Sequence, residues 1–461
     1  MRPTEINADN TIFVLLSFEG PDQYSLAGGL GVRITNLSQT LAGIGFPTHL
    51  FFIGDPRGRG EEVVNGGRLI LHRWCQWISN YYPQGVYQGE NEKLYDFNRS
   101  LPGFIIEHVI KPAVAEDKLV VILGEEWHTA EVMCQLGTIL ESSGIRDRVV
   151  TFWNANNTFG FERIIWKKLA DVTTITTVSR YMKHIMQGMG LKSLIIPNGI
   201  PASLLNGVDA KASARLRRNF PSDLLLTKVA RWDPAKRWDT ALETIARLKD
   251  EGRKTVLLAR GGMEPYGKDL VAKAQSLDLT VKEVNTKGNS LEDYFKAFGD
   301  NGKADIFDIK FHCPQDFLRI LYHASDGVLA NSSHEPFGLV GLETMAAGGV
   351  AFTGGTGEDY AKPFSNSIVL RTNTPEEIES NVVYLDELPE ESQRIRKTAR
   401  QTAKQYTWER VIKILFRKLE YQARIQGLLA TRRKLAFPVQ KPSIHSGATP
   451  EPEAVLTGSS L

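Results

Sequence analysis

Short apolar runs alternate with longer amphipathic stretches along most of the chain. Residues 11–18 (TIFVLLSF), 48–54 (THLFFIG), 119–123 (LVVIL), 149–153 (VVTFW) and 175–179 (ITTVS) predict buried strands. Runs this apolar and this β-branched suit a strand covered on both faces. Residues 30–45 (LGVRITNLSQTLAGIG) repeat apolar positions at helical spacing between the first two. Strands joined by crossover helices predict a parallel α/β sheet.

At 195–201 (IIPNGIP) two prolines and an Asn-Gly pair interrupt the rhythm, which is a connector signal. The alternation then restarts with a strand at 224–230, a helix at 234–252 and a strand at 254–260. Further strands are expected at 326–332, 349–355 and 366–371. Two α/β units in series follow, 1–200 and 201–405. Within 406–429 the pattern predicts a long amphipathic helix starting at Thr407, an N-cap residue, with Glu409 suited to the positive end of its first turn. Residues 430–461 lack periodicity and predict an unstructured tail.

Composition narrows the class only slightly. The 55 basic and 53 acidic residues leave a net charge of +2, which gives no support to nucleic-acid binding. Any anionic ligand must meet a local cluster. Cys75, Cys134 and Cys313 are widely spaced and odd in number, without metal-ligand or disulfide spacing. The apolar run near the N-terminus is short, and nothing approaches the roughly 20 apolar residues that span a bilayer. No transmembrane segment and a cytoplasmic location are therefore expected.

The candidate chemistry lies at strand-to-helix turns. In 328–352 (VLANSSHEPFGLVGLETMAAGGVAF) a strand ends near Asn331, a loop carries Glu335, and a helix runs from about Gly338 to Ala347. Ligands of parallel α/β sheets bind at such carboxyl edges. The free N–H groups of Gly338, Leu339 and Val340, backed by the helix dipole, form an anion site suited to phosphates. Gly338 is expected to leave room for close approach. Glu343 follows five residues later, about 7.5 Å along a helix. A diphosphate on those N–H groups would have Glu335 on one flank and Glu343 on the other. Carboxylates accept hydrogen bonds from vicinal hydroxyls, so the pair suits a ribose on one side and a hexose on the other. Arg231 and Lys236, at the turn after 224–230, supply cations for the same diphosphate, with Arg237 competing for the place of Lys236. Gly28, Gly29 and Gly31 form a third turn, where backbone can approach a phosphate or sugar.

Taken together, these motifs resemble the retaining glycosyltransferases of the GT-B fold. EPFGLVGLE (335–343) is similar to their E-x7-E motif, VARWDPAK (229–236) to their Arg…Lys motif, and GGLG (28–31) to their glycine loop. EEWHTA (125–130) resembles the Asp-Trp-His segment of glycogen and starch synthases, and TVSRYM (177–182), IPNGI (196–200) and YTWERV (406–411) also fit. The resemblance spans about residues 12–425. It implies two facing Rossmann-like domains, with a C-terminal helix crossing back to the first. It also implies hexose transfer from a nucleoside-diphosphate sugar to an acceptor hydroxyl with retention of configuration. Glu335, Arg231 and Lys236 would act at the reacting sugar and diphosphate. Gly29, Gly338, Leu339, Val340 and Glu343 would bind the donor. The expected partners are a nucleotide-sugar and a carbohydrate or small hydroxylated acceptor. No cofactor or metal is expected, and there is no D-x-D triplet to hold a metal.

Two positions depart from the family pattern. Where a histidine usually follows the fourth strand of the first domain, residues 151–161 read TFWNANNTFGF, with Trp153 and Asn154 in its place. Before the glycine pair, Leu26 lies where starch synthases carry a lysine. His128, Asn154 and Asn156 are the candidates for acceptor or sugar contacts. The stretch 72–97, rich in Trp and Tyr among polar residues, matches nothing in the family and offers aromatic faces to a sugar or to the first domain. A nucleotide-sugar-binding protein without turnover is the alternative these departures suggest.

Overall fold

The computed structural model describes residues 3–299 and 303–430. The tail expected over 430–461 lies, from 431 onward, outside the described residues. Eight strands build the first sheet: β1 Thr11–Leu16, β2 Thr48–Ile53, β3 Glu61–Val64, β4 Leu69–Trp74, β5 Leu119–Glu125, β6 Val149–Ala155, β7 Thr174–Thr177 and β8 Leu194–Ile195. Their order is β3-β4-β2-β1-β5-β6-β7-β8. Only the β3–β4 pair is antiparallel.

The second sheet contains β9 Leu224–Val229, β10 Thr255–Arg260, β11 Val281–Val284, β12 Ile306–Ile309, β13 Gly327–Ala330, β14 Ala351–Thr353 and β15 Ile368–Val369. It is parallel throughout, in the order β11-β12-β10-β9-β13-β14-β15. In both sheets the winding reverses beside the first strand, between β1 and β5 and between β9 and β13. A crevice opens at the carboxyl ends of the strands at each reversal. That geometry brings the Arg231–Lys236 turn, after β9, next to the Glu335 loop, after β13.

The helix Trp408–Ile425 returns to the first unit. Its Trp408, Val411, Ile412, Leu415 and Leu419 share a core with Phe13, Leu15, Leu37 and Leu41. At roughly 1.5–3 kcal/mol per buried apolar side chain, these five contribute on the order of 10 kcal/mol against peeling it away. The outgoing and returning strands of chain are stitched together: Ile200 N–H donates to the Tyr406 carbonyl at 2.8 Å, and Trp408 N–H to the Ile200 carbonyl at 3.1 Å.

Three sequence expectations change. The helix expected over 234–252 begins only at Trp238, because Arg237 adopts a left-handed conformation (φ 53°) after a short 3₁₀ turn at Pro234–Lys236. Residues 72–97, given no element above, comprise the end of β4, a short helix Gln76–Ser79, a loop, and the start of the helix Glu90–Ile105. Strands β3, β4, β8, β11 and β12 escaped notice: charged residues interrupt β3, β11 and β12, β4 runs into His-Arg-Trp, and β8 is two residues long.

Candidate active site

The second sheet gathers the expected donor-side residues at its reversal point. Asp233 Oδ1 accepts the Ala235 N–H at 2.8 Å and fixes the turn that aims Lys236. Lys236 Nζ donates to Glu335 Oε2 at 2.9 Å, so the cation and the acid form one preassembled pair. Arg237 turns away, its guanidinium reaching the Asn373 carbonyl at 3.5 Å, so that of the two cations only Lys236 meets Glu335. Arg231 is exposed and makes no ion pair among the described residues. Its carbonyl is tied down by the Trp238 indole N–H at 2.8 Å.

The Glu335 loop is pressed against the loop at 353–361. Glu335 N–H donates to Thr356 Oγ1 at 3.0 Å, and Gly357 N–H to the Glu335 carbonyl at 2.8 Å. Gly338 caps the helix Leu339–Ala347 with φ 78°, and no side chain caps the helix there. The first-turn N–H groups of Leu339 and Val340 thus have no intrahelical acceptor, as at any helix start. The sequence-based reason for Gly338 needs correcting. A Cβ there would lie 2.7 Å from Glu358 Cγ and 3.2 Å from Glu335 Cγ, so its space is filled by the protein rather than left for a ligand.

Glu343 is half-buried on that helix, and burial pushes its carboxyl up to about 7, against a hydrogen bond with Gln315. Two further groups escaped the sequence reading. Glu358 is buried beside Glu335, and desolvation, with that neighbouring charge, pushes it up to about 8. Lys228 is buried under the turn, donating to the Leu329 carbonyl at 3.1 Å and to Asn331 Oδ1. Burial, with Lys236 nearby, lowers it to about 7. Neither residue belongs to a recognisable spacing, so no sequence signal pointed to them.

The first sheet presents a different set. Glu125, at the end of β5, takes Arg33 Nε on both oxygens (3.1 and 3.0 Å), Asn154 Nδ2 at 2.9 Å and Asn156 Nδ2 at 2.8 Å. Asn154 also accepts from Thr176 Oγ1 at 2.9 Å and is buried. Its expected sugar contact is therefore not supported: both ends of its amide serve the sheet. Asn156 shares the tie to Glu125, but its Oδ1 has no partner among the described residues. Trp153 lies inside the sheet, its indole N–H donating to the Glu126 carbonyl at 3.0 Å. Glu126 has φ 67° and ψ 167°, a region costly for any side-chain-bearing residue. Burial and the neighbouring Glu125 push its carboxyl up to about 8.

His128 is sandwiched between Phe18 (ring centroids 4.2 Å apart) and Trp127 (3.8 Å). Its Nε2 lies 2.8 Å from Glu90 Oε1. Burial lowers the imidazole pKa and the contact with His128 lowers that of Glu90, so we assign the bond as N–H donating to carboxylate. The glycine loop is partly occupied by the chain itself. Glu19 Oε2 accepts from the N–H groups of Ala27 (3.2 Å), Gly28 (2.9 Å) and Gly31 (2.9 Å). Gly29 faces open space, with no atom within 4 Å of where its Cβ would sit.

Residues 217–402 match the family of glycosyl transferases group 1. The chain carries a group 1 glycosyltransferase domain. Over 159 residues the chain is 28% identical to a D-inositol 3-phosphate glycosyltransferase of Streptomyces bingchenggensis, covering 33% of this chain and 30% of that protein's length. Among solved structures, sucrose-phosphate synthase from Thermosynechococcus elongatus superposes with a TM-score of 0.63 at 17% identity, over 89% of this chain and 99% of that one. The catalytic domain of starch synthase IV from Arabidopsis thaliana, bound to ADP and acarbose, gives 0.65 at 14% over the same shares. A trehalose-phosphate synthase from Burkholderia xenovorans, in complex with glucose-6-phosphate, gives 0.63 at 12%, over 89% and 100%. The group 1 domain thus belongs to a GT-B fold of two Rossmann-like units. No helix of the described residues is long and apolar enough to cross a membrane.

Proposed function

We propose that this chain transfers a hexose from a nucleoside-diphosphate sugar to an acceptor hydroxyl, with retention and without a metal ion. The observation that carries the reading is the Lys236–Glu335 pair at the reversal point of the group 1 domain, beside the free N–H groups of the helix Leu339–Ala347. Lys236, Arg231 and those N–H groups would hold the diphosphate and stabilise its charge as it leaves. Glu343 would accept the ribose hydroxyls and Glu335 those of the hexose. Gly29, across the cleft, offers uncrowded backbone to the same donor.

In this scheme the bond from the anomeric carbon to the diphosphate breaks as the acceptor oxygen attacks the same face. The acceptor proton passes to a phosphate oxygen of the leaving group. The charge that a metal would neutralise is met by Arg231, Lys236 and the helix end. Trp153, at the position where the resembled family pattern has a histidine, favours a second reading: a nucleotide-sugar-binding protein without turnover. Proton NMR of the first-formed product distinguishes these readings. An unchanged anomeric configuration, formed equally with and without a chelator, supports the scheme. An inverted anomer refutes retention, loss of product on chelation refutes metal independence, and donor binding without nucleotide release favours the second reading.

A further inference from the structure

The carboxyl edge of the first sheet is lined by Glu19, Glu90 and the half-exposed Tyr87. Tyr87 comes from the loop before the helix Glu90–Ile105, within the stretch that matches nothing in the family. Its O–H donates to Glu19 Oε1, and its ring stacks on Phe18 at 6.0 Å and lies 5.9 Å from His128. The loop is built to stay in place. Lys93, fully buried, donates to the carbonyls of Gly85 (3.2 Å), Val86 (3.0 Å) and Gln88 (2.6 Å) and to the Tyr24 hydroxyl (2.6 Å). An ammonium spent on three carbonyls of one loop fixes that loop's position. Beside Tyr87, His128 is 3% exposed and its Nδ1 has no partner among the described residues. Buried polar atoms left in this way call for an explanation, and a hydroxyl-bearing ligand is one.

The charge at this edge decides what such a ligand is. Recognition of a phosphate ester requires Arg or Lys with free donors. Arg33 is spent on Glu125. Arg73 is spent on Asp22 and Glu62, and Arg180 on Asp359 across the cleft. Lys93 is spent on its loop. Arg163 stays exposed, but its guanidinium is stacked over Trp127 at 4.5 Å and its charge acts on Glu90.

We propose that the acceptor is an uncharged or amino-bearing polyol rather than a phosphate ester, seated against Tyr87 with Glu90 reading its hydroxyls. This rests on the transfer reading above. Three of the four relatives described above are named for phosphorylated sugars or polyols; this edge carries the opposite charge preference. Carboxylates accept from vicinal hydroxyls or ammonium groups and repel a phosphate dianion.

Two measurements test it, one without a donor. In saturation-transfer NMR, glucose, myo-inositol and glucosamine are each compared with glucose 6-phosphate and fructose 6-phosphate. Signal from at least one of the first three, lost in Tyr87→Ala, supports the proposal. Stronger signal from a phosphate ester, or none from the first three, overturns it. With a donor, nucleotide release should be stimulated at least tenfold more by a member of the first group than by either ester. Glu90→Gln should raise that acceptor's KM about tenfold and leave the dissociation constant of the nucleoside diphosphate unchanged. Stimulation by the esters alone, or by none of the five although the donor binds, overturns the proposal. A protein that binds no donor at all fails the transfer reading instead.

Discussion

Removing Arg33 should destabilise the first domain strongly at neutral pH and weakly in mild acid. Arg33 and Glu125 are 3% and 2% exposed at their side chains, so solvent screens the pair little. In Arg33→Met the Glu125 carboxylate keeps only the amides of Asn154 and Asn156. Breaking a buried pair by removing one partner costs about 3–5 kcal/mol. The acid can escape by taking up a proton, at about 1.4 kcal/mol per pH unit above its usual value near 4.3. That caps the penalty at roughly 4 kcal/mol at pH 7 and roughly 1 kcal/mol at pH 5. The sign follows from linkage: the variant's folded state holds the Glu125 proton more tightly than its unfolded state, so its stability falls as pH rises. Urea unfolding at both pH values, resolved for each domain, measures the difference from wild type. The double variant Arg33→Met/Glu125→Gln should recover most of the loss at pH 7. A loss that is the same at both pH values, or below about 1 kcal/mol at pH 7, would refute the reasoning.

Other expectations concern the donor side. Gly338→Ala combines a left-handed φ of 78° with a Cβ placed 2.7 Å from Glu358 Cγ, and should cost about 2–4 kcal/mol by urea unfolding. Arg231→Ala and Lys236→Ala should each weaken nucleoside-diphosphate binding about 10- to 100-fold by calorimetry while leaving nucleoside binding unchanged, since each removes a charge-assisted bond worth about 1.5–3 kcal/mol. Glu343, held up to about 7, should make donor affinity rise between pH 6 and pH 8 as the carboxylate forms and accepts from the ribose. That rise should vanish in Glu343→Gln; a variant with the same pH profile as wild type would remove Glu343 from the account.

The architecture was legible because its signals are local and strong. Apolar strands such as 119–123 and the Pro-Asn-Gly connector at 196–199 can be read without knowing what they pack against. The donor-side motif was legible for a similar reason: Glu335, Gly338 and Glu343 sit within one strand–loop–helix segment. What was not legible depends on contacts between distant parts of the chain. Glu19 meets the glycine-loop N–H groups only after the turn at 20–27 folds back. Asn154 looks like a ligand-binding amide until β5 places Glu125 beside it. Tyr87 joins the cleft only because Lys93 fixes its loop. Arg237 points away from Glu335 because it is itself in a left-handed conformation, which no periodicity encodes.

The central claim is that the group 1 domain holds a nucleoside-diphosphate sugar through Glu343 and the Lys236–Glu335 pair. Calorimetric titration of wild type and Glu343→Ala with UDP-, ADP- and GDP-glucose tests it most directly. The account predicts selective binding of one donor, weakened at least tenfold in the variant. Equal binding of that donor by both proteins, or binding of none of the three by wild type, would contradict it.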